Sequence, residues 1–194
     1  MTRAVQNHPE VPPRHTVRAK SRIIATLALA GALGLPGCID SAAPILTGSQ
    51  PVFGPHLRVH AYSVINGQAS GPEIGAFQWE RGQYRAVGRV SFSVAAVTAH
   101  PLAGNDLILQ AVSAKQKDKT EYAVARKLTD ATYLVFAIDE EDADEATRTK
   151  FCTKSSSSSC RIATREALMA FAQATAAKRD PKGALAIVVV PPGP

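Results

Sequence analysis

Three consecutive segments decide the fold class. They are Leu107-Ile108-Leu109-Gln110-Ala111-Val112-Ser113, then Glu121-Tyr122-Ala123-Val124-Ala125-Arg126-Lys127-Leu128, then Thr132-Tyr133-Leu134-Val135-Phe136-Ala137-Ile138. Each is short, rich in aliphatic, β-branched and aromatic residues, and bounded by polar residues, which is the pattern of strands. The breaks between them, Lys115 to Lys119 and Thr129 to Ala131, are hairpin-sized, and connections that short favour antiparallel neighbours.

Working outward toward the N-terminus, the same reading predicts strands over Arg58 to Ile65, Ala76 to Glu80, Gln83 to Val87 and Val90 to Thr98. In the first of these, Leu57, Val59 and Ala61 share one face, and His56, Arg58, His60 and Tyr62 share the other. Toward the C-terminus the period changes after Asp139. Glu140 to Phe151 reads as a short helix capped by Asp139, with acids in its first turn. A second helix starts at the N-cap Thr164 and runs to about Lys178, where Pro181 and Gly183 end it. Ala184 to Val190 is an apolar returning strand. These elements predict an α+β domain: a mainly antiparallel sheet of about six to seven strands, two C-terminal helices packed on one face, and a final returning strand.

The organisation expected is a leader over residues 1–37, a tether over 38–56 punctuated by Pro44, Gly48, Pro51, Gly54 and Pro55, one domain over 57–190, and an unstructured tail over 191–194. The leader carries Arg14, Arg18, Lys20 and Arg22 ahead of the apolar run from Ile23 to Leu35. That run of 13 residues would make a helix of about 20 Å, against the roughly 30 Å of a hydrocarbon core. It suits a removable export signal better than a membrane span. Leu35, Gly37 and Cys38 complete a pattern that resembles a bacterial lipoprotein signal peptide with its lipobox. Pro36 stands where that pattern has a small residue.

The resemblance implies cleavage before Cys38, a lipid on its sulfur, and attachment to the cell envelope. An outer membrane is the implied destination where the cell has one, because no acidic residue follows the cysteine directly. The leader holds five of the 22 basic residues and one of the 16 acids, so the remaining 157 residues carry a net charge of +2 instead of +6. That small excess argues against nucleic acid as a partner. With Cys38 given to lipid, Cys152 and Cys160 remain, with seven residues between them in a serine-rich loop, and an oxidising compartment would keep them paired.

Chemistry-bearing residues are sparse. His100 and Asp106 lie near each other in a loop between two predicted strands and could serve as base and orienter of an envelope hydrolase, yet no nucleophile elbow accompanies them. Phe77, Trp79 and Tyr84 flank the Arg81-Gly82 turn and could form a platform for a glycan or peptide, or pack across a hairpin. His56 and His60 share a strand face, and the acids Asp139 to Glu145 lack the glycine and terminal glutamate of a calcium loop. The sequence implies no metal and no cofactor, and the serine run Ser155 to Ser159 reads as loop. The function expected is binding or scaffolding of another envelope component without catalysis.

Overall fold

The computed structural model describes residues 39–65, 68–88, 91, 93–116, 119–154, 160–177 and 184–191. The leader with Cys38, the serine run, the end of the second helix at Lys178 and the last three residues of the tail lie outside them.

Seven strands follow one another as an antiparallel meander: β2 (His56–Ile65), β3 (Gln68–Glu80), β4 (Gln83–Ala86), β5 (Val94–Pro101), β6 (Asp106–Ser113), β7 (Thr120–Lys127) and β8 (Thr132–Ala137). The chain then leaves the sheet for a 3₁₀ turn (Glu140–Asp142) and two helices, α1 (Glu145–Phe151) and α2 (Arg165–Ala177). It returns as β11 (Leu185–Val190), which pairs antiparallel with β8 on one side and β2 on the other. That insertion joins the first strand of the meander to the last and closes an eight-stranded barrel. Three two-residue strands, β1 (Asp40–Ser41), β9 (Thr153–Lys154) and β10 (Cys160–Arg161), extend the sheet beside the start of β7.

The α+β class and the antiparallel pairing agree with the sequence reading, but the sheet differs from the six to seven strands expected. Eight strands form a closed surface without free edges. Periodicity identifies strands, and nothing in it shows that a strand arriving after two helices will bridge both ends of a meander. β3 is also longer than the predicted Ala76 to Glu80. Gly71-Pro72 lies inside it at a bulge, where Ala61 pairs with Glu73 and Ser63 with Ser70. Gly71 has φ +129°, and a Cβ there would stand 2.9 Å from the Ala61 carbonyl oxygen. Only glycine tolerates that position.

The expected single helix over Glu140 to Phe151 is two pieces. The Asp139 carboxylate accepts from the Glu141 N–H at 3.0 Å and caps the 3₁₀ turn; the Asp144 carboxylate accepts from Thr147 N–H at 2.7 Å and caps α1. Thr164 caps α2 as expected, its hydroxyl accepting from Ala167 N–H at 3.2 Å. The helical segment lies outside the barrel. Leu168, Phe171 and Ala172 of α2 pack with Ile108, Val124 and Phe136, the outward residues of β6, β7 and β8. No helix among the described residues is long and apolar enough to cross a membrane.

Residues 39–56, expected as a tether, are packed against the barrel. Ile39 is fully buried and its N–H donates to Ile138 O at 3.1 Å. The Asp40 carboxylate accepts from Arg161 Nε at 2.9 Å, and Ser41 shares a 2.6 Å hydrogen bond with the Tyr122 hydroxyl. Gln110, buried on β6, accepts from the N–H groups of Ile45 and Leu46 at 2.8 and 2.9 Å and donates to Leu46 O at 3.0 Å. A side chain on a strand thus supplies the backbone partners that an irregular segment cannot find within itself.

Candidate functional site: the barrel lumen

Strict alternation turns one set of side chains into the barrel. Leu57, Val59 and Ala61 of β2, Ala123 and Ala125 of β7, Tyr133 and Val135 of β8, and Leu185, Ile187 and Val189 of β11 all point inward. Arg58 on β2 and Arg85 on β4 point outward and are exposed. This distribution is the reverse of a membrane-spanning barrel, which is apolar outside and polar within.

An eight-stranded barrel has room for its own side chains or for one small ligand. Here the inward residues of β6 and β7 include Ala111, Ala123 and Ala125. Their short side chains fill little of the lumen. A cavity of about 110 Å³ remains, walled by Leu57, Val59, Val97, Val135, Leu185 and their neighbours, with no polar surface exposed inside it.

One end of the lumen is stopped by aromatic rings. Phe53 turns in from the segment before β2 and meets Tyr133 edge-on with ring centres 5.4 Å apart, and Tyr84 at 5.9 Å. Tyr84 fastens this plug: its hydroxyl accepts from Phe53 N–H at 2.8 Å and donates to Gly54 O at 3.0 Å. Burial raises the Tyr84 phenol above its ordinary pKa, with the Phe53 N–H opposing. Trp79 stands half-buried beside it, its ring edge-on to Tyr84 at 4.8 Å.

The opposite end, where β5, β7 and β11 begin, carries the polar residues of the inward face. Glu121 borders the cavity and pairs with Lys119 at 2.7 Å. Glu73 lies opposite Ala61 on the inward face of β3, and burial raises its carboxyl above the usual range. Ser63, directly opposite Leu185, is buried and its hydroxyl has no hydrogen-bond partner among the described residues.

The two residues considered for hydrolysis take different hydrogen-bond partners. His100 Nε2 meets Thr98 Oγ1 at 3.1 Å on the outer face, and burial, then the nearby Arg165 charge, hold its pKa below the ordinary value. Asp106 accepts instead from Arg126, through Nε at 3.3 Å and Nη2 at 3.1 Å, and the same guanidinium bonds Ala176 O at the end of α2. Arg126 therefore ties β6, β7 and α2 together.

The three aromatics singled out in the sequence do come together. Phe77 and Tyr84 are buried in the lumen and Trp79 sits at its plugged end, so they wall an interior and do not form an open platform. Cys152 and Cys160 are bonded, with Cα atoms 5.0 Å apart. Glu140 comes close to both sulfurs, but cysteines joined in a disulfide offer no thiolates to a metal. His56, Arg58, His60 and Tyr62 share the outer face of β2 as their alternation predicts.

Sequence reasoning missed Phe53, Ser63 and Glu73. The available signal for the lumen was alanine on strands otherwise built of larger residues, Ala111 on β6 and Ala123 and Ala125 at alternate positions of β7. No family model matches this chain, and neither a curated protein nor a solved structure matches it.

Proposed function

We propose that this chain is a lipoprotein-type precursor, exported and fastened to the cell envelope through Cys38, whose barrel holds a small apolar molecule in its lumen. The cavity carries the second half of this reading. A void of about 110 Å³ costs roughly 2–3 kcal/mol in packing energy if left empty, at about 24 cal/mol per Å³. An apolar guest recovers contacts of that order, and apolar cavities of comparable size stay dry and accept molecules such as benzene. The lipobox resemblance supports the first half, and the Cys152–Cys160 disulfide fits an oxidising compartment.

Binding, as opposed to catalysis, is favoured because His100 and Asp106 spend their hydrogen bonds on Thr98 and Arg126. The test for the lumen is methyl NMR during titration with hexanol. Shifts in Val59, Val135 and Leu185 with Leu168 and Ile108 unmoved support the reading, and unmoved lumen methyls overturn it. For the anchor, fatty-acid labelling of cells should mark the wild type and spare Cys38→Ala.

A further inference from the structure

Of the described residues that wall the cavity, Phe53 alone belongs to no strand. The other lining side chains are carried on ladders of backbone hydrogen bonds, so moving them means opening the sheet. At the far end Glu121, for instance, is paired with Ala111 of β6. Phe53 can leave the lumen with every strand pairing intact. Gly48 and Gly54 stand on either side of it with φ +71° and +79°, and a Cβ at either would meet no atom within 4 Å. Packing therefore does not call for glycine at these two positions; the left-handed backbone does. Such positions absorb the dihedral changes of a hinge.

Outside the two glycines the chain is fixed. Gln110 holds the backbone of Leu46 on one side, and on the other Pro55 O accepts from Trp79 N–H at 2.8 Å. Between these points, three hydrogen bonds among the described residues tie 48–54 to the barrel. Ser49 Oγ donates to Ala99 O at 3.0 Å, and the Tyr84 hydroxyl supplies the other two, to Phe53 N–H and Gly54 O. Bonds within the stretch, Val52 N–H to Gln50 O at 2.8 Å and Gly54 N–H to Pro51 O at 2.9 Å, keep its tip in one shape. Val52 at that tip is 44% exposed, so the outer side of the stretch faces solvent.

We propose that residues 48–54 form a hinged lid over the lumen, with Phe53 as its stopper and the Tyr84 hydroxyl as its latch, and that the apolar guest enters and leaves past it. Opening breaks the two hydrogen bonds of the latch and the ring contacts of Phe53 with Tyr84 and Tyr133, and spares the eight-stranded wall. Phe53 N–H and Gly54 O meet water once the lid is out, which keeps the open state within reach of the microsecond-to-millisecond motions of such lids.

The lid rests on the lumen being a ligand site, and the test keeps the two apart. The full exported chain is titrated with hexanol, and association and dissociation rates are taken from the line shapes of the Val59, Val135 and Leu185 methyl signals. Tyr84→Phe removes two hydrogen bonds of ordinary strength and should raise both rates at least about fivefold. The dissociation constant should move by less than about threefold, because a lid that opens more often speeds entry and exit alike. Lys119→Ala, at the opposite end, should leave both rates unchanged. If Tyr84→Phe displaces the Leu168 or Ile108 methyl signals before hexanol is added, Phe53→Ala takes its place and should likewise speed both entry and exit. Unchanged rates, a rise in dissociation alone, or faster exchange in Lys119→Ala overturns the lid and leaves the lumen as a site. If hexanol moves no lumen methyl in the wild type, the ligand site itself falls, and the lid with it.

Discussion

The molecule has two apolar interiors separated by one strand thickness, and they are filled differently. Outside the barrel, beneath α2, lie Ile39, Ile108, Val124, Ile138, Ile162, Leu168 and Phe171, all essentially inaccessible to solvent. Inside the barrel, Tyr84 is the only large side chain among the described residues buried to that degree; Leu57, Val59, Phe77, Val135 and Leu185 retain 5–7% of their surface, and a cavity lies between them. The outer interior is a close-packed core, and such cores hold a fold together through dense van der Waals contact. The lumen gives up part of that contact. A barrel supported from outside by a helix, a disulfide-closed loop and the docked 39–56 segment can leave space within and remain folded.

The sharpest way to break this comparison uses the same residue in both interiors. Leu168→Ala, beneath α2, should cost about 4–5 kcal/mol, at the upper end for buried leucines, because a filled surrounding cannot collapse onto the gap. Leu185→Ala in the lumen should cost nearer 2 kcal/mol, since part of its wall already faces empty space. Chemical denaturation with matched m-values measures both, and equal losses would abolish the distinction.

The reverse substitution sharpens it at smaller amplitude. Ala172→Leu inserts bulk into the packed region and should destabilise by about 1–3 kcal/mol. Ala123→Leu inserts the same bulk beside the cavity, and we expect a change under about 1 kcal/mol together with lost hexanol binding. Thermal melts, combined with the methyl titration, distinguish filling from unfolding.

The smallest effect belongs to His100 on the outer face. Its folded pKa lies below its ordinary value, chiefly through burial. The unfolded chain therefore takes up the proton first as pH falls, so stability declines as pH drops through about 6.5. His100→Gln should flatten that part of the pH profile and leave the profile above pH 7 unchanged. A wild-type decline that persists in His100→Gln assigns it to another group.

Much of the molecule was legible in short-range pattern. The alternation of β2, the runs of β6, β7 and β8, the caps Asp139 and Thr164, and the pairing of Cys152 with Cys160 depend on neighbours in sequence or on a small loop. Closure of the barrel was not, because Leu185–Val190 shows its apolar character without showing that Ser63 and Val135 will flank it. The docking of residues 45 and 46 depends on Gln110, 64 to 65 positions away, and polar punctuation in the segment reads as a linker when that partner is unseen. The cavity is a joint property of strands that lie far apart in the sequence. Nothing local to Ala111 or Ala123 records what stands across the lumen.

Ile39 is buried in the wall of the fold and anchored to Ile138, one peptide unit after Cys38. Adjacent Cα atoms are about 3.8 Å apart, whereas a free run of the 18 residues 39–56 could reach roughly 60 Å. With lipid on Cys38, as proposed, the barrel would therefore have no leash on which to swing. Every anchored copy would ride on the bilayer with the same flank down, and the height and tilt of the lumen above the lipid would be set by the fold itself.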